Sequence, residues 1–334
     1  MSNKQIVEQF YAALTAANVN KNFAQARLLL TPDLVWCAAH PINDLQGRDE
    51  FFTNYWSPIT TALPDVERKP FVVVEGDFIS EEEGEPGRWV NSIGYLVGTF
   101  DQPLFDIPAT GKTLFLRYFD LVRIADGKIA ECYVILDFVD AMQQADVNPL
   151  RASLGHNGLI APPTTMDGTN QDDVNGEEGA RTMKLVEDML NELRCFDGKS
   201  LSSMHLEKYW HPDFMWYGPG GIGTTRGIEG FRKQHQGPFL NAFPDRDVVF
   251  VKNFIGERNY AAIGGWPHMT VTHSGGGWLG VPPTGKALTI RVMDLWRREG
   301  NLFMENWVSI DIIELLLQMG LDVFAQMREL YHKN

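Results

Sequence analysis

The chain has 334 residues, 44% of them hydrophobic, and carries a formal net charge of −14 at pH 7. This length suits two domains of roughly 150 residues better than one, and each half can bury a core of its own. The acidic balance argues against a nucleic-acid partner, which needs basic surface, and against polybasic attachment to anionic lipid.

Cysteine usage and the first residues predict a cytoplasmic protein. Cys37, Cys132 and Cys195 form no CxxC pair and are too few for a disulfide framework. The opening residues, MSNKQIVEQFYAAL, are amphipathic and lack the apolar core of a signal peptide. No window is apolar enough to span a bilayer, so we expect no membrane partner.

The first part of the chain predicts helices followed by strands. Ile6, Phe10 and Leu14 recur at helical spacing and predict a helix over 4–17. The next predicted elements are a helix over 18–30 that Pro32 ends, a strand over 34–39, a helix over 49–62, and strands over 71–75, 89–100, 114–124 and 129–138. Asp126-Gly127 predicts a hairpin turn between the last two strands, and the acidic run over 81–87 predicts a solvated loop.

Composition changes between 148 and 179, which predicts a linker. This stretch holds Pro149, Pro162, Pro163 and the run NQDDVNGEEG, and Leu159-Ile160 is a point where it could pack. Helical spacing of apolar residues resumes over 181–193. We therefore predict a first domain over 1–147, a linker over 148–179 and a second domain over 180–334.

The two predicted domains are copies of one unit. At an offset of 180 residues, Pro32, Asp33, Trp36, Gly47, Phe51, Pro58, Pro64, Asp65 and Gly76 match Pro212, Asp213, Trp216, Gly227, Phe231, Pro238, Pro244, Asp245 and Gly256. At an offset of 174, Pro108, Thr110, Gly111, Lys112, Arg117, Asp120, Arg123, Glu131, Val134, Asp137 and Gln144 match Pro282, Thr284, Gly285, Lys286, Arg291, Asp294, Arg297, Glu305, Val308, Asp311 and Gln318. The offset falls because the first copy has the longer acidic loop.

Each copy predicts an α+β unit, since helices precede an antiparallel sheet. A sheet that wraps around a helix layer forms a cone, and the open end of a cone is a usual place for an apolar pocket. The predicted fold is therefore two tandem cone-shaped α+β barrels.

Several short segments of the second copy resemble one known family. They are Phe243-Pro244-Asp245, Thr272-His273-Ser274-Gly275, Pro282-Pro283-Thr284-Gly285, Asp294-Leu295-Trp296-Arg297, Gly300-Asn301-Leu302, Glu305-Asn306-Trp307, Asp311 and Leu317-Gln318-Met319-Gly320. These segments are similar to those of the SnoaL-like polyketide cyclases, in the nuclear transport factor 2-like superfamily. The resemblance implies cone-shaped barrels that pair through their sheets, and a cofactor-free aldol closure in which an acidic side chain moves protons.

The chain departs from this family at one position. The resemblance implies an Asp directly after the Trp of the last strand, as the acid/base. Here Val308 follows Trp307, and in the first copy Val134 follows Tyr133. Asp311 and Asp137 fit a later, structural Asp of the family pattern.

Asp294 and Asp120 are the candidate acids because each lies in the middle of an otherwise apolar strand. Strand alternation places Asp294 with Val292 and Trp296, and Asp120 with Tyr118. An Asp on the inner face would have a pKa raised by desolvation, as a general acid/base needs near neutral pH. The alternatives are an ion pair with an Arg of a neighbouring strand, or a position on the outer face.

His273 is the third predicted catalytic residue, placed by the resemblance beside the mouth of the cone as a partner of Asp294 or a hydrogen-bond donor. The predicted substrate-binding residues are aromatic or face the candidate acids: Trp216, His235, Trp296, Trp307 and Tyr118. His268 and His273 are five residues apart with no clustered Asp or Cys, so we predict no metal site.

Together these features predict a protein that binds a small apolar or polyketide-like molecule, with proton-transfer catalysis and no cofactor, favoured in the second copy. One alternative is a hydrolase or dehydratase in the same cavity. Another is a non-catalytic binding or assembly module. We expect the two domains to pair within the chain, and a homo-oligomer is compatible with the sequence.

Overall fold

A computed structural model describes residues 2–18, 22–80, 86–170 and 176–331. It contains two sheets, one from each half of the chain, and each sheet carries helices on one face. The predicted α+β class with two tandem copies is confirmed. None of the helices in these ranges is long and apolar enough to cross a membrane.

The first half begins with helices and ends in long strands. Its helices are α1 (Asn3–Ala17), α2 (Ala24–Leu28), α3 (Gly47–Glu50), a π-helical turn (Phe51–Trp56), α4 (Ser57–Ala62) and α5 (Phe138–Gln144). Its strands are β1 (Leu30–Ala38), β2 (Asn43–Gln46), β3 (Glu67–Ile79), β4 (Pro86–Thr99), β5 (Thr113–Ala125) and β6 (Lys128–Leu136). The strand order is β2-β1-β6-β5-β4-β3.

The second half repeats this plan. Its helices are α6 (Gly176–Leu193), two 3₁₀ turns (Leu201–Met204 and Leu206–Lys208), α7 (Gly227–Phe231), a π-helical turn (Arg232–Gln236), α8 (Gly237–Ala242), α9 (Ile312–Met319) and α10 (Val323–Tyr331). Its strands are β7 (Trp210–Tyr217), β8 (Thr225–Arg226), β9 (Asp247–Val248), β10 (Asn253–Glu257), β11 (Tyr260–Thr272), β12 (Ala287–Glu299) and β13 (Leu302–Ile310). The order is β10-β11-β12-β13-β7-β8, with β9 paired to β11.

Two secondary-structure predictions need correction. The sheets are mixed, because β1 pairs with β6 in parallel and β7 pairs with β13 in parallel. The helix predicted over 18–30 is shorter: only Ala24–Leu28 is helical, residues 19–21 lie outside the described ranges, and Leu30 already starts β1. Pro32 is tolerated in β1 because it lies where the ladder with β6 is interrupted, between Leu30 and Val35.

The predicted linker packs against both halves. The Trp307 indole Nε1 donates to the Ala161 carbonyl at 2.9 Å, and the Ile160 amide donates to the Tyr95 hydroxyl at 2.7 Å. The Val73 amide donates to the Gly168 carbonyl at 2.8 Å. Helix α6 starts inside the predicted linker range, residues 171–175 and most of the acidic run (81–85) lie outside the described ranges, and the domain boundaries stay a prediction.

The outer faces of the two sheets pack on each other. Ile93, Phe119 and Leu121 of the first sheet share one buried apolar cluster with Met293 and Leu295 of the second. The remaining faces, turned toward the helices, form the main cores. Each sheet is therefore covered on both sides, so hydrophobicity alone does not reveal which strand face lines a cone.

Polar contacts also join the two halves. The side-chain amides of Asn91 and Asn253 exchange hydrogen bonds of 2.8 and 2.7 Å. Asp137 caps α5 and also accepts from the Gly220 amide at 2.8 Å. Asp311 is the counterpart of Asp137, since it caps α9 and accepts from the His40 amide of the first half at 3.4 Å.

Candidate functional site

The second half encloses a cavity between its helices and the inner face of its sheet. We call this cavity the chamber; its volume is about 140 Å³. Its wall is mostly apolar and is formed by Met189, Leu190, Leu193, Trp210, Trp216, Phe231, His235, Gln236, Phe239, Leu240, Arg246, Met269, Ile290, Val292, Asp294, Trp296, Asn306, Val308 and Ile310. An apolar cavity of roughly this size accommodates one benzene-sized ring, so a molecule with two fused rings would fill it and extend beyond it.

Asp294 is the carboxyl group in the chamber wall. It lies on β12, paired with Ile263 of β11 and Val308 of β13. Its Oδ1 accepts one hydrogen bond of 3.3 Å from the Asn306 side-chain amide, and Asn306 also donates to the Leu295 carbonyl at 3.1 Å. Among the described residues no Lys or Arg forms an ion pair with it, and burial raises the pKa of Asp294 to about 7.

His235 and Trp216 form the opposite, aromatic part of the wall. The imidazole stacks on the Trp216 indole with ring centroids 4.1 Å apart, and it also contacts Phe231 and Phe239. Burial lowers the pKa of His235 to about 3, so the ring is neutral near pH 7. A neutral imidazole in this position offers one donor and one acceptor without adding charge.

In the first half, side chains fill the space next to the matching carboxyl group, and a groove of about 770 Å³ lies outside them, with Tyr11 and Arg68 in its wall. Asp120, the counterpart of Asp294, has no exposed surface. Its carboxylate pairs with the Arg68 guanidinium at 3.0 Å, accepts from the Ser92 hydroxyl, and lies 3.4 Å from the Tyr11 hydroxyl. The Arg68 guanidinium in turn lies over the Tyr11 and Tyr118 rings, 4.2 and 4.6 Å from their centroids.

The strand pairing shows which residues around the carboxyl group differ between the two halves. Asp120 faces Ser92 across β4, whereas Asp294 faces Ile263 across β11. Three further matches follow from the repeat and the same pairing pattern: Arg68 corresponds to Val248, Tyr118 to Val292 and Cys132 to Asn306. The second half thus lacks the cation and the phenol that fill the space around the carboxylate, and it gains one amide donor.

Asp120 and Tyr118 were predicted as site residues, and the structure does not support these roles. Asp120 is held by Arg68, Ser92 and Tyr11, and the Tyr118 ring lies against the Arg68 guanidinium, so the contacts of both residues are taken up within the first half. The predicted alternative was an ion pair with an Arg of a neighbouring strand. The structure shows an ion pair with Arg68, which lies on β3, two strands away from Asp120 on β5.

Trp307 was predicted to line the pocket and does not. Its position on β13 places it on the outer face of the sheet, where it stacks on Tyr217 with ring centroids 5.6 Å apart. Its neighbours Asn306 and Val308, which point the other way, line the chamber instead.

His273 was predicted to assist Asp294, and its position excludes this. Thr272 pairs with Ala287 at the start of β12, seven residues from Asp294, which is about 23 Å along a strand. The imidazole is buried, with Nε2 3.2 Å from the Gly276 carbonyl and Nδ1 3.3 Å from the Thr284 hydroxyl. His273 therefore ties a loop together at the far end of the sheet.

The His273→Phe variant tests this correction. The first half has Phe100 at the matching position, where its backbone makes the same contacts with Lys112 and Gly111 that His273 makes with Lys286 and Gly285. We expect the variant to lose at most about 1–2 kcal/mol of unfolding free energy, because two weak hydrogen bonds disappear. Any rate that depends on Asp294 should stay within about twofold. A hundredfold loss of that rate in the folded variant would contradict the structural role.

Sequence reasoning missed three polar residues of the chamber, Asn306, Arg246 and Gln236. Each occupies a position where the first copy has a buried apolar residue: Cys132, Val66 and Trp56. A comparison of the two copies, position by position, would have found these exchanges of an apolar for a polar residue.

Of the predicted residues, Asp294, His235, Trp216 and Trp296 come together in one wall. Among the described residues no group of three or more His, Cys, Asp or Glu side chains could hold a metal ion.

The raised pKa of Asp294 predicts a pH dependence of stability. An unfolded Asp has a pKa near 3.9, so between pH 4 and 7 the unfolded chain is ionised at this site while the folded protein holds the proton. Folding therefore takes up a proton, and the site's contribution falls by about 1.4 kcal/mol per pH unit as pH rises through this window, then levels off.

Urea unfolding of the natural protein and the Asp294→Asn variant between pH 4 and 8 measures this effect. The variant has no titrating group at this site, so its advantage should grow with pH and become constant above about pH 7. Parallel stability curves for the two proteins would show that Asp294 keeps an ordinary pKa.

Comparisons with known proteins agree with this architecture. The family model described as SnoaL-like polyketide cyclase matches residues 5–145 and 187–319. A search of curated proteins finds no match.

Similar solved structures each cover less than half of this chain. AclR from Streptomyces galilaeus is 27% identical, with 42% of this chain and 96% of that protein covered and a TM-score of 0.34. IdmH from Streptomyces antibioticus is 24% identical, with 40% and 98% covered and a TM-score of 0.33. An NTF2-like protein from Burkholderia thailandensis is 21% identical, with 44% and 98% covered and a TM-score of 0.32. On the family match, which spans most of both halves, the chain belongs to the SnoaL-like polyketide cyclase family.

Proposed function

We propose that the chamber of the second half is an active site for cofactor-free proton transfer, with Asp294 as the general acid/base. The observation that carries this proposal is a carboxyl group in a mostly apolar chamber, with one amide donor and no ion pair among the described residues. A group with a pKa near 7 exchanges protons efficiently at neutral pH. The apolar, aromatic wall suits a small apolar or polyketide-like carbonyl compound.

The proposed reaction is an intramolecular aldol closure or a related isomerisation. The Asp294 carboxylate removes a proton from the carbon next to a carbonyl, and the C–H electron pair moves into the enolate. The enolate carbon attacks a second carbonyl of the same molecule, which forms the C–C bond and leaves an alkoxide. Asp294 returns its proton to the alkoxide, so no net proton, electron or cofactor is consumed.

The other chamber residues have supporting roles in this proposal. Asn306 holds one carboxylate oxygen and so orients the other toward the substrate. The Trp296 indole Nε1 and the Gln236 Oε1 are buried without a hydrogen-bond partner among the described residues. These atoms are the groups with which a substrate oxygen or hydroxyl would pair. Trp216 and His235 supply a flat wall for a ring.

The first half acts in this proposal as a scaffold. Its cone is filled around Asp120, and its sheet covers the outer face of the second sheet. In this proposal the first half therefore covers the sheet face that a second protein copy covers when single cones form dimers.

A hydrolase or dehydratase is the second candidate. A groove of about 590 Å³ adjoins the chamber, since Leu190, Leu193, Arg246 and Met269 line both. In this second proposal, water reaches the carboxyl group from the groove. In that case Asp294 would activate water or assist its loss.

Deuterium exchange of a model ketone tests the leading proposal without knowledge of the natural substrate. The α-protons of 2-tetralone are followed by NMR in heavy water with and without the protein. We expect catalysed exchange whose rate rises with pH and levels off above about 7, since the carboxylate is the active form. Absence of exchange, despite binding of the ketone, would favour the non-catalytic binding module. Hydrolysis of methyl 2-naphthoate without ketone exchange would favour the hydrolase.

A further inference from the structure

Arg246 occupies an unusual position at the junction of the chamber and the outer groove. The outer groove is lined by Glu187, Leu190, Asn191, Leu193, Arg194, Phe196, Pro244, Arg246, Asp247, Val248, Val251, Phe254, Ile263, His268 and Met269. Arg246 is the one cation that lines both spaces, as far as the described residues show. A ligand with one end in the chamber and the other in the groove would lie beside Arg246.

The Arg246 guanidinium has no counter-ion within the described residues. Its one hydrogen bond goes to the Leu193 carbonyl, at 3.0 Å. Burial lowers the pKa of Arg246, and no described carboxylate offsets this effect. Asp247 and Glu187 line the same groove, but both side chains are exposed and neither forms an ion pair with Arg246. A partly buried guanidinium with free donors is costly unless an anion pairs with it.

Comparison of the two copies shows that each half has an arginine in this region, but at a different position. At the offset of 180, Arg246 corresponds to Val66, which is 1% exposed, and Val248 corresponds to Arg68. The second copy thus carries its arginine two residues earlier in the chain, just before β9, and both Arg246 and Val248 line the outer groove. In the first copy the arginine neutralises Asp120, whereas Arg246 and Asp294 do not perturb each other's pKa.

We propose that Arg246 is an anion subsite, so that the ligand is an amphipathic acid with an apolar body in the chamber and a carboxylate at Arg246. This inference rests on the proposal that the chamber is the ligand site, and it adds the chemical class of the ligand. A guanidinium binds a carboxylate through two parallel hydrogen bonds, which fixes the direction in which the ligand enters. The reactive carbon then lies at the inner end, beside Asp294.

A matched pair of probes tests the subsite on the full-length protein. 2-Naphthoate and 2-acetylnaphthalene have the same ring system, and at about pH 6 only the first is an anion. Quenching of the chamber tryptophans gives a dissociation constant for each. We expect the natural protein to bind naphthoate at least about tenfold more tightly than the ketone.

Variants then assign this preference to one residue. Arg246→Gln should weaken naphthoate about tenfold or more and the ketone less than about twofold, and Arg246→Lys should retain part of the preference. Arg194→Gln removes an exposed arginine from the same groove and is the matched control, with less than about twofold change for either probe.

The outcomes separate this inference from the proposed function. Equal binding of the two probes to the natural protein, or equal weakening of both by Arg246→Gln, overturns the anion subsite and leaves the role of Asp294 standing. If neither probe binds at millimolar concentration, the chamber is not a ligand site and both proposals fail. The comparison on the natural protein decides the question even where a variant does not fold.

Discussion

The Asp294→Asn variant is expected to lose 2-tetralone exchange by about 10²- to 10⁴-fold while it still binds the ketone. Asn has the shape of Asp and can keep a hydrogen bond with Asn306, but it cannot take up a proton. The change removes a group with a pKa of about 7 from an apolar wall, so the variant should fold at least as well as the natural protein near pH 8. The exchange rate and the dissociation constant are measured on the same sample.

Asp120→Asn is the matched control, since it makes the same change at the equivalent position of the first half. Asp120 is closed off by Arg68, Ser92 and Tyr11, so this variant should be less stable but should exchange 2-tetralone at the natural rate per folded molecule. If the two variants lose the same fraction of the rate, Asp294 has no special role. If the Asp294→Asn variant retains the natural rate, proton transfer does not pass through this carboxyl group.

The Arg68→Leu variant is expected to lose about 3–5 kcal/mol of unfolding free energy. The Arg68 and Asp120 side chains are 8% and 0% exposed, so removal of the guanidinium leaves a buried carboxylate without its counter-ion. The guanidinium also covers the Tyr11 and Tyr118 rings, and that contact disappears as well. Urea unfolding at neutral pH measures the loss.

Two further variants give this prediction its controls. Arg68→Leu combined with Asp120→Leu should recover most of the loss, because an apolar pair can replace a buried ion pair. Arg88→Leu removes an exposed arginine 3.9 Å from the exposed Asp77, and it should change stability little. An equally small effect of Arg68→Leu would mean that the first cone contains water rather than a dry ion pair.

Most of the fold could be predicted from the sequence because the chain contains two copies of one unit, which can be compared with each other. Matches at two constant offsets reveal the duplication, and the Asp126-Gly127 turn and the alternation in β4 to β6 indicate the sheet. The parallel pairing of β1 with β6 was not predictable in this way, because it joins segments that are far apart in the sequence. The local cues around Pro32 suggested a helix end, and tertiary pairing overrode them.

The site was only partly predictable, for two physical reasons. Each sheet is buried on both faces, so Trp307 is as apolar in its surroundings as the residues of the chamber, and sequence could not assign its face. Asp120 and Asp294 share the local pattern Arg-x-x-Asp-Leu-x-Arg, and their surroundings differ because Arg68 of β3 is replaced by Val248 of β9. The position of an acid in each copy could therefore be predicted, but whether an arginine pairs with that acid could not.

The family resemblance implied an Asp after Trp307, and the structure places Val308 there, directly across the strand pair from Asp294. Both side chains line the chamber. A carboxyl group on β12 therefore faces the same space that an Asp at position 308 would face from β13. In the proposed function Asp294 supplies the acid from the neighbouring strand.

A carbon-13 NMR titration of the Asp side-chain carboxyls tests the central claim most directly, with the Asp294→Asn variant used to assign the resonance. We predict one carboxyl with an apparent pKa of about 7, absent from the variant and unchanged in Asp120→Asn. A pKa near 4 for the assigned resonance would contradict the account, because Asp294 would then be an ordinary solvated carboxylate rather than an acid/base held in an apolar chamber.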